Sequence, residues 1–127
     1  MIRTNNRFVA FLRKFKYAFR GLAVAIKEEK SLIVDFIFSI IVIIMAIIIG
    51  LKTYEWAILI MVITLVIGME LINTAIENLV DTISFKYNID ASKIKDTAAA
   101  TSLVFSLMAI VVGLIIFVPK FIQIIKG

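Results

Sequence analysis

An apolar run from Trp56 to Ile67 passes without a break into Gly68-Met69-Glu70-Leu71-Ile72-Asn73-Thr74-Ala75-Ile76-Glu77-Asn78-Leu79-Val80-Asp81. Neither Pro nor a turn signal separates the two stretches, so they read as one continuous helix that enters a membrane apolar and becomes polar on one side. At about 100° per residue, Glu70, Asn73, Glu77 and Asp81 fall within roughly an 80° arc. Three carboxylates and a carboxamide therefore form a single stripe, with Ile72, Ile76, Leu79 and Val80 off it. Carboxylates near a bilayer are costly and rarely persist there without a partner, a metal or a water-filled site.

The rest of the chain fits a membrane reading. Of its 127 residues, 62% are hydrophobic, and the mean hydropathy is +1.07, far above a soluble domain of this size. Leu32–Leu51 and Thr97–Val118 each reach or approach the roughly 20 residues needed to cross a bilayer. The middle run spans only if its polar-striped continuation counts. The expected fold is an all-α integral membrane protein in one domain, residues 1–127. It has a surface helix over 1–30 and spans over 31–51, 55–85 and 91–118. The first apolar span starts late and is long, unlike a signal peptide.

Charge sets the orientation. Arg3, Arg7, Arg13, Lys14, Lys16, Arg20, Lys27 and Lys30 precede the first span, and Lys86, Lys93 and Lys95 lie between the second and third. Only Lys52 lies between the first and second. The positive-inside rule puts the N-terminus and the 85–96 connection in the cytoplasm of a multi-pass membrane protein. The stripe then lies at the cytoplasmic end of its helix. The net charge of +5 flanks apolar segments, which argues against nucleic acid as the partner.

Cys and His are both absent. That excludes disulfides, thiolate or imidazole zinc sites and a cysteine nucleophile. Any acid–base or metal chemistry rests on Asp and Glu, hard oxygen donors that suit Mg²⁺.

In residues 1–30, Phe8, Phe11, Leu12, Phe15, Phe19, Leu22, Ala23 and Ile26 recur at helical spacing, and most basic residues lie elsewhere on the wheel. Such a helix lies in the membrane interface. Glu28 and Glu29 are either solvated or, for one of them, directed at the stripe. Ser31 is the expected N-cap of the first span, and Asp35 one turn in reads as an interfacial acid. Gly50 ends the span. Tyr54 and Trp56 sit where aromatic belts sit. Asp90 or Ser92 is expected to cap the third helix. The small residues Thr97-Ala98-Ala99-Ala100-Thr101-Ser102 allow close helix approach. Pro119 is expected to end the span, with residues 121–125 as an interfacial tail.

Glu29, Glu70, Glu77 and Lys95 are all expected at one membrane face. Two carboxylates can hold Mg²⁺ together with substrate phosphates, a lysine can neutralise phosphate oxygens, and a further carboxylate can take a proton from a hydroxyl. Those are the parts of phosphoryl transfer, although no Walker A or kinase-type Gly-rich loop is present. The competing readings are a structural ion network, an ion path in a small oligomeric channel or transporter, and a scaffold. Against conduction, the acids cluster at one end and the outer halves of the spans are apolar.

The motif Glu70-Leu-Ile-Asn73-Thr-Ala-Ile-Glu77-Asn-Leu-Val-Asp81 resembles the signature of the prokaryotic diacylglycerol kinase family, small membrane lipid kinases that include undecaprenol kinases. Lys16-Tyr17-Ala-Phe-Arg-Gly21-Leu, Glu29 and Ile94-Lys95-Asp96 resemble its flanking blocks, over about residues 8–118. The resemblance implies a homotrimer with sites between neighbouring subunits and an ATP- and Mg²⁺-dependent lipid kinase. Glu70 would be the general base, supported by Asn73, and Glu29 and Glu77 the Mg²⁺ ligands. Tyr17, Tyr87, Lys95 and Asp96 would join those two in holding ATP, and Trp56 would join Glu70 in meeting the lipid. Ala10, Asn88 and Ala99 stand where the diacylglycerol-specific branch has Arg, His and Ser. Glu55-Trp56 resembles the Gram-positive branch, whose members favour undecaprenol. The expected acceptor is therefore undecaprenol, with diacylglycerol as the alternative.

Overall fold

The computed structural model describes residues 2–83 and 89–127, with side chains from Asn6 onward. Four helices follow one another: α1 (Ile2–Glu28), α2 (Lys30–Ile49), α3 (Thr53–Ile83) and α4 (Ile89–Lys126). Among the described residues there is no strand. α2, α3 and α4 are each long and apolar enough to cross a membrane, so the protein is an all-α, multi-pass membrane protein. A helix is the form that satisfies every backbone donor and acceptor internally in a medium without water.

The breaks have local causes. Gly50 closes α2 at a φ of +85°, a backbone region that glycine occupies without a Cβ penalty, and its N–H donates to the Ala46 carbonyl at 2.9 Å. After a short turn, α3 starts with Glu55 folded back. Its Oε1 accepts from the Lys52 backbone N–H at 2.9 Å, which satisfies one of the orphan donors of a helix start. From there α3 runs unbroken through the apolar run and the acidic stripe, as the sequence predicts.

Three boundaries differ from expectation. Glu29, not Ser31, is the N-cap of α2, and its side chain makes no capping bond. α4 begins at Ile89, two residues before the expected start at 91, so Asp90 and Ser92 lie inside it rather than capping it. Pro119 does not end α4, which continues to Lys126. Proline removes one backbone donor, but the helix beyond it is anchored. Lys120 Nζ donates to Glu55 Oε1 at 2.9 Å, with both side chains largely buried.

α3 packs most extensively along α4 and more briefly on α2, and α1 touches both α2 and α3. The three spanning helices meet at the Glu55 end around Ala46, Leu59, Ile116 and Phe117, with Trp56 packed against this cluster. Toward the other end α2 stands away from α4. A groove of about 650 Å³ opens between them, lined by apolar side chains such as Phe38, Val42, Val66 and Ile110, with Asp35 also on its wall. Many large apolar side chains elsewhere are exposed, including Ile47, Ile48 and Ile115. Such surface belongs against lipid or another subunit.

Candidate functional site

The stripe is built by α3 as the spacing predicts. Asn73 is buried, Glu70 and Glu77 are half-buried, and Asp81 is exposed. Asn73 Nδ2 donates to Glu77 Oε1 at 3.4 Å, one helical turn away on the same face. Its Oδ1 is buried without a partner, a state that polar groups rarely keep unless another molecule completes them.

Glu29 enters from the α1–α2 junction, where α1 ends and the chain turns into α2. The Glu29 N–H still donates to the Ala25 carbonyl at 2.9 Å, so the residue is held by backbone while its side chain is left for other work. Burial pushes its carboxyl above the ordinary carboxylate value, reinforced by the nearby charges of Glu77, Glu70 and Glu28. Like charges this close disfavour joint ionisation unless a cation neutralises them. Glu29 thus senses the stripe, while Glu28 lines a cleft beside Thr74 and Asn78.

Among the described residues no group of three His, Cys, Asp or Glu side chains stands ready to enclose a metal. Mg²⁺ is commonly held by one or two carboxylates, with substrate phosphate oxygens completing its shell. The chemistry of the Glu29–Glu77 donor pair, two hard oxygen groups with excess negative charge, fits such an ion.

Glu70 has a partner that the sequence reading missed. Ser31 Oγ donates to Glu70 Oε1 at 2.7 Å, joining α2 to α3 across 39 residues. Ser31 and Glu70 stand at nearly equal distances along the chain from the turn between α2 and α3, so antiparallel pairing brings them level. That register was countable, but a serine near a helix start reads first as a cap. Asp35 lies one turn further along α2.

Lys95 is paired with Asp81, Nζ to Oδ1 at 2.8 Å, and both side chains are substantially exposed. Asp81, without a role in the sequence reading, thus holds Lys95 against the C-terminal end of the stripe. Asp96 is exposed beside it. Ala98 is buried one turn on, where the small-residue run lets α4 approach α3. Ser102 Oγ is also buried without a partner, and the register set by the two α3–α4 ion pairs puts it opposite Asn73.

Tyr17 lies on α1 with the Arg20 guanidinium 5.8 Å from its ring centroid. Both line a cleft of about 580 Å³ between α1 and α3, with Glu28, Thr74 and Asn78, flanking the stripe. Tyr87 lies outside the described residues. Trp56 is not brought to Glu70. It sits at the other end of α3, about 21 Å away at 1.5 Å per residue.

The stripe therefore presents the Glu70 carboxylate near the end of an apolar groove and, about 16 Å further along α3 at 1.5 Å per residue, the Lys95–Asp81 pair. Residues 16–117 match the family described as prokaryotic diacylglycerol kinase. The chain is also 33% identical over 115 residues to the undecaprenol kinase of Bacillus subtilis (strain 168), covering 91% of this chain and 94% of that one. These matches, which include every residue of the stripe, set aside the channel and scaffold readings: the chain belongs to the prokaryotic diacylglycerol kinase family and is a lipid kinase.

Proposed function

We propose that the protein transfers the γ-phosphoryl group of ATP to the hydroxyl of undecaprenol. The observation that carries this reading is the position of Glu70. It lies one helical turn beyond Val66, where the apolar groove ends. A long, flexible, apolar lipid laid in that groove would present a terminal hydroxyl to the Glu70 carboxylate, and the similarity to the Bacillus enzyme supports the same acceptor.

Glu70 accepts the hydroxyl proton as the lipid oxygen forms its bond to the γ-phosphorus, and the bond to the β–γ bridging oxygen breaks to release ADP. Asn73 orients Glu77 through its amide. Glu29 and Glu77 hold Mg²⁺, which neutralises phosphate charge when bound. Lys95 moves from Asp81 to the phosphates, while Asp96, Tyr17 and Tyr87 hold the rest of the nucleotide. Trp56, at the far end of α3, meets the tail of the lipid rather than its hydroxyl. The working unit is a homotrimer in a bacterial plasma membrane, with the N-terminus and the site on the cytoplasmic side, where ATP is.

The deciding assay offers purified protein, Mg-ATP, undecaprenol and diacylglycerol side by side in mixed vesicles. Faster phosphorylation of undecaprenol supports the proposal, and a preference for diacylglycerol overturns the acceptor. Glu70→Gln is expected to lower turnover by about a hundredfold or more while the protein stays folded. Near-normal turnover in that variant removes the base assignment.

A further inference from the structure

We propose that Ser31 is a positioning residue for Glu70, an inference that rests on the reading of Glu70 as the base. A carboxylate has two oxygens and can accept at both. Ser31 Oγ donates to Oε1 at 2.7 Å, which fixes the carboxylate's rotation and leaves Oε2 as the oxygen for the lipid hydroxyl. Without that bond the Glu70 side chain, half-buried at the end of the groove, would sample several rotamers, few of them aimed at the acceptor.

Location supports the role. Ser31 stands in the first turn of α2, on the same helix as Asp35 and Ser39, which line the groove one and two turns further in. Ser31 thus sits at the mouth through which an acceptor in the groove reaches Glu70. The bond also links two elements whose relative position decides whether the groove points at the base. Its donor is a hydroxyl, which keeps no fixed charge and does not compete for the phosphates or the cation. Fixing a reacting group in a productive orientation acts on the chemical step rather than on substrate binding.

The test is steady-state kinetics of the full chain in lipid vesicles. Ser31→Ala is expected to lower kcat about tenfold, the scale of one charge-assisted hydrogen bond, with the KM values for Mg-ATP and lipid within about twofold of native. Ser31→Thr, which keeps the hydroxyl, is expected to restore most of kcat. In a Glu70→Asp background, where the shortened carboxylate no longer reaches the hydroxyl, Ser31→Ala is expected to cost less than about threefold, because groups that act as a unit are not additive. Should Ser31→Ala lower the melting temperature, Ser31→Cys, close in shape and a weak donor, gives the same reading. Unchanged kcat in Ser31→Ala, an equal loss in both backgrounds, or a loss confined to the KM for Mg-ATP each overturns the proposal. The underlying reading fails separately, through an active Glu70→Gln.

Discussion

Glu29 shows most directly how a single residue couples stability to chemistry. Its carboxyl is held above the ordinary value by burial and by Glu77, Glu70 and Glu28. A raised carboxyl favours folding in its protonated form. That contribution is fully present below the unfolded carboxylate range and is lost as pH rises through the raised value. Glu29→Gln is therefore expected to raise the melting temperature of the nucleotide-free protein at pH 8. The advantage should shrink toward zero as pH falls below 4, as thermal unfolding in detergent across that range would reveal; a variant less stable than native at pH 8 contradicts it. Asp81 and Lys95 invite a different measurement. Exposed pairs contribute little to stability, so Asp81→Asn should leave the melting temperature nearly unchanged. If Lys95 meets the phosphates, Lys95→Ala raises the KM for Mg-ATP by at least about tenfold, and Asp81→Asn raises it much less.

Among the helices, the α1–α2 junction is the point on which the site depends. Leu32, just inside α2, is fully buried, and it follows Glu29 and Ser31 by three residues and one. Leu32→Ala is expected to destabilise the protein by about 2–5 kcal/mol, read as a lower unfolding midpoint, and to loosen the approach of Glu29 to the stripe. At the other end, α4 survives Pro119 and is tied to α3 by Lys120 and Glu55. The same Glu55 oxygen caps the start of α3, so Lys120→Gln should lower the melting temperature while Glu70 chemistry, at the far end of the same helix, keeps its KM values. A change in those values would show that the two ends of α3 are coupled.

At the scale of the molecule, one chain buries few side chains, and large apolar residues stay exposed along all three spans. Lipid covers some of that surface and, in the proposed trimer, neighbouring subunits cover the rest. Native mass determination in a mild detergent should find three chains, and a stable monomer that retains turnover would rule the trimer out. Mixing inactive Glu70→Gln and Glu29→Ala chains tests site sharing further. Recovered activity in mixed trimers, where neither variant alone works, means that those two groups act across a subunit boundary. No recovery fits the single-chain neighbourhood that the charge on Glu29 already senses.

The sequence determined the helical membrane architecture, because apolar runs of bilayer length leave the backbone few alternatives to a helix. It also determined the stripe, because a helix of about 3.6 residues per turn puts Glu70, Asn73, Glu77 and Asp81 on one face wherever the helix packs. The family was legible in the same residues. Partners were not. That Ser31 bonds to Glu70 instead of capping α2, that Lys95 pairs with Asp81, and that Lys120 reaches Glu55 beyond an uninterrupted Pro119 all depend on how the helices are aligned against one another. The short turn between α2 and α3 makes the level of Ser31 and Glu70 countable, but which side chains bond across that level is set by packing along whole helix faces, and no local run of residues encodes it.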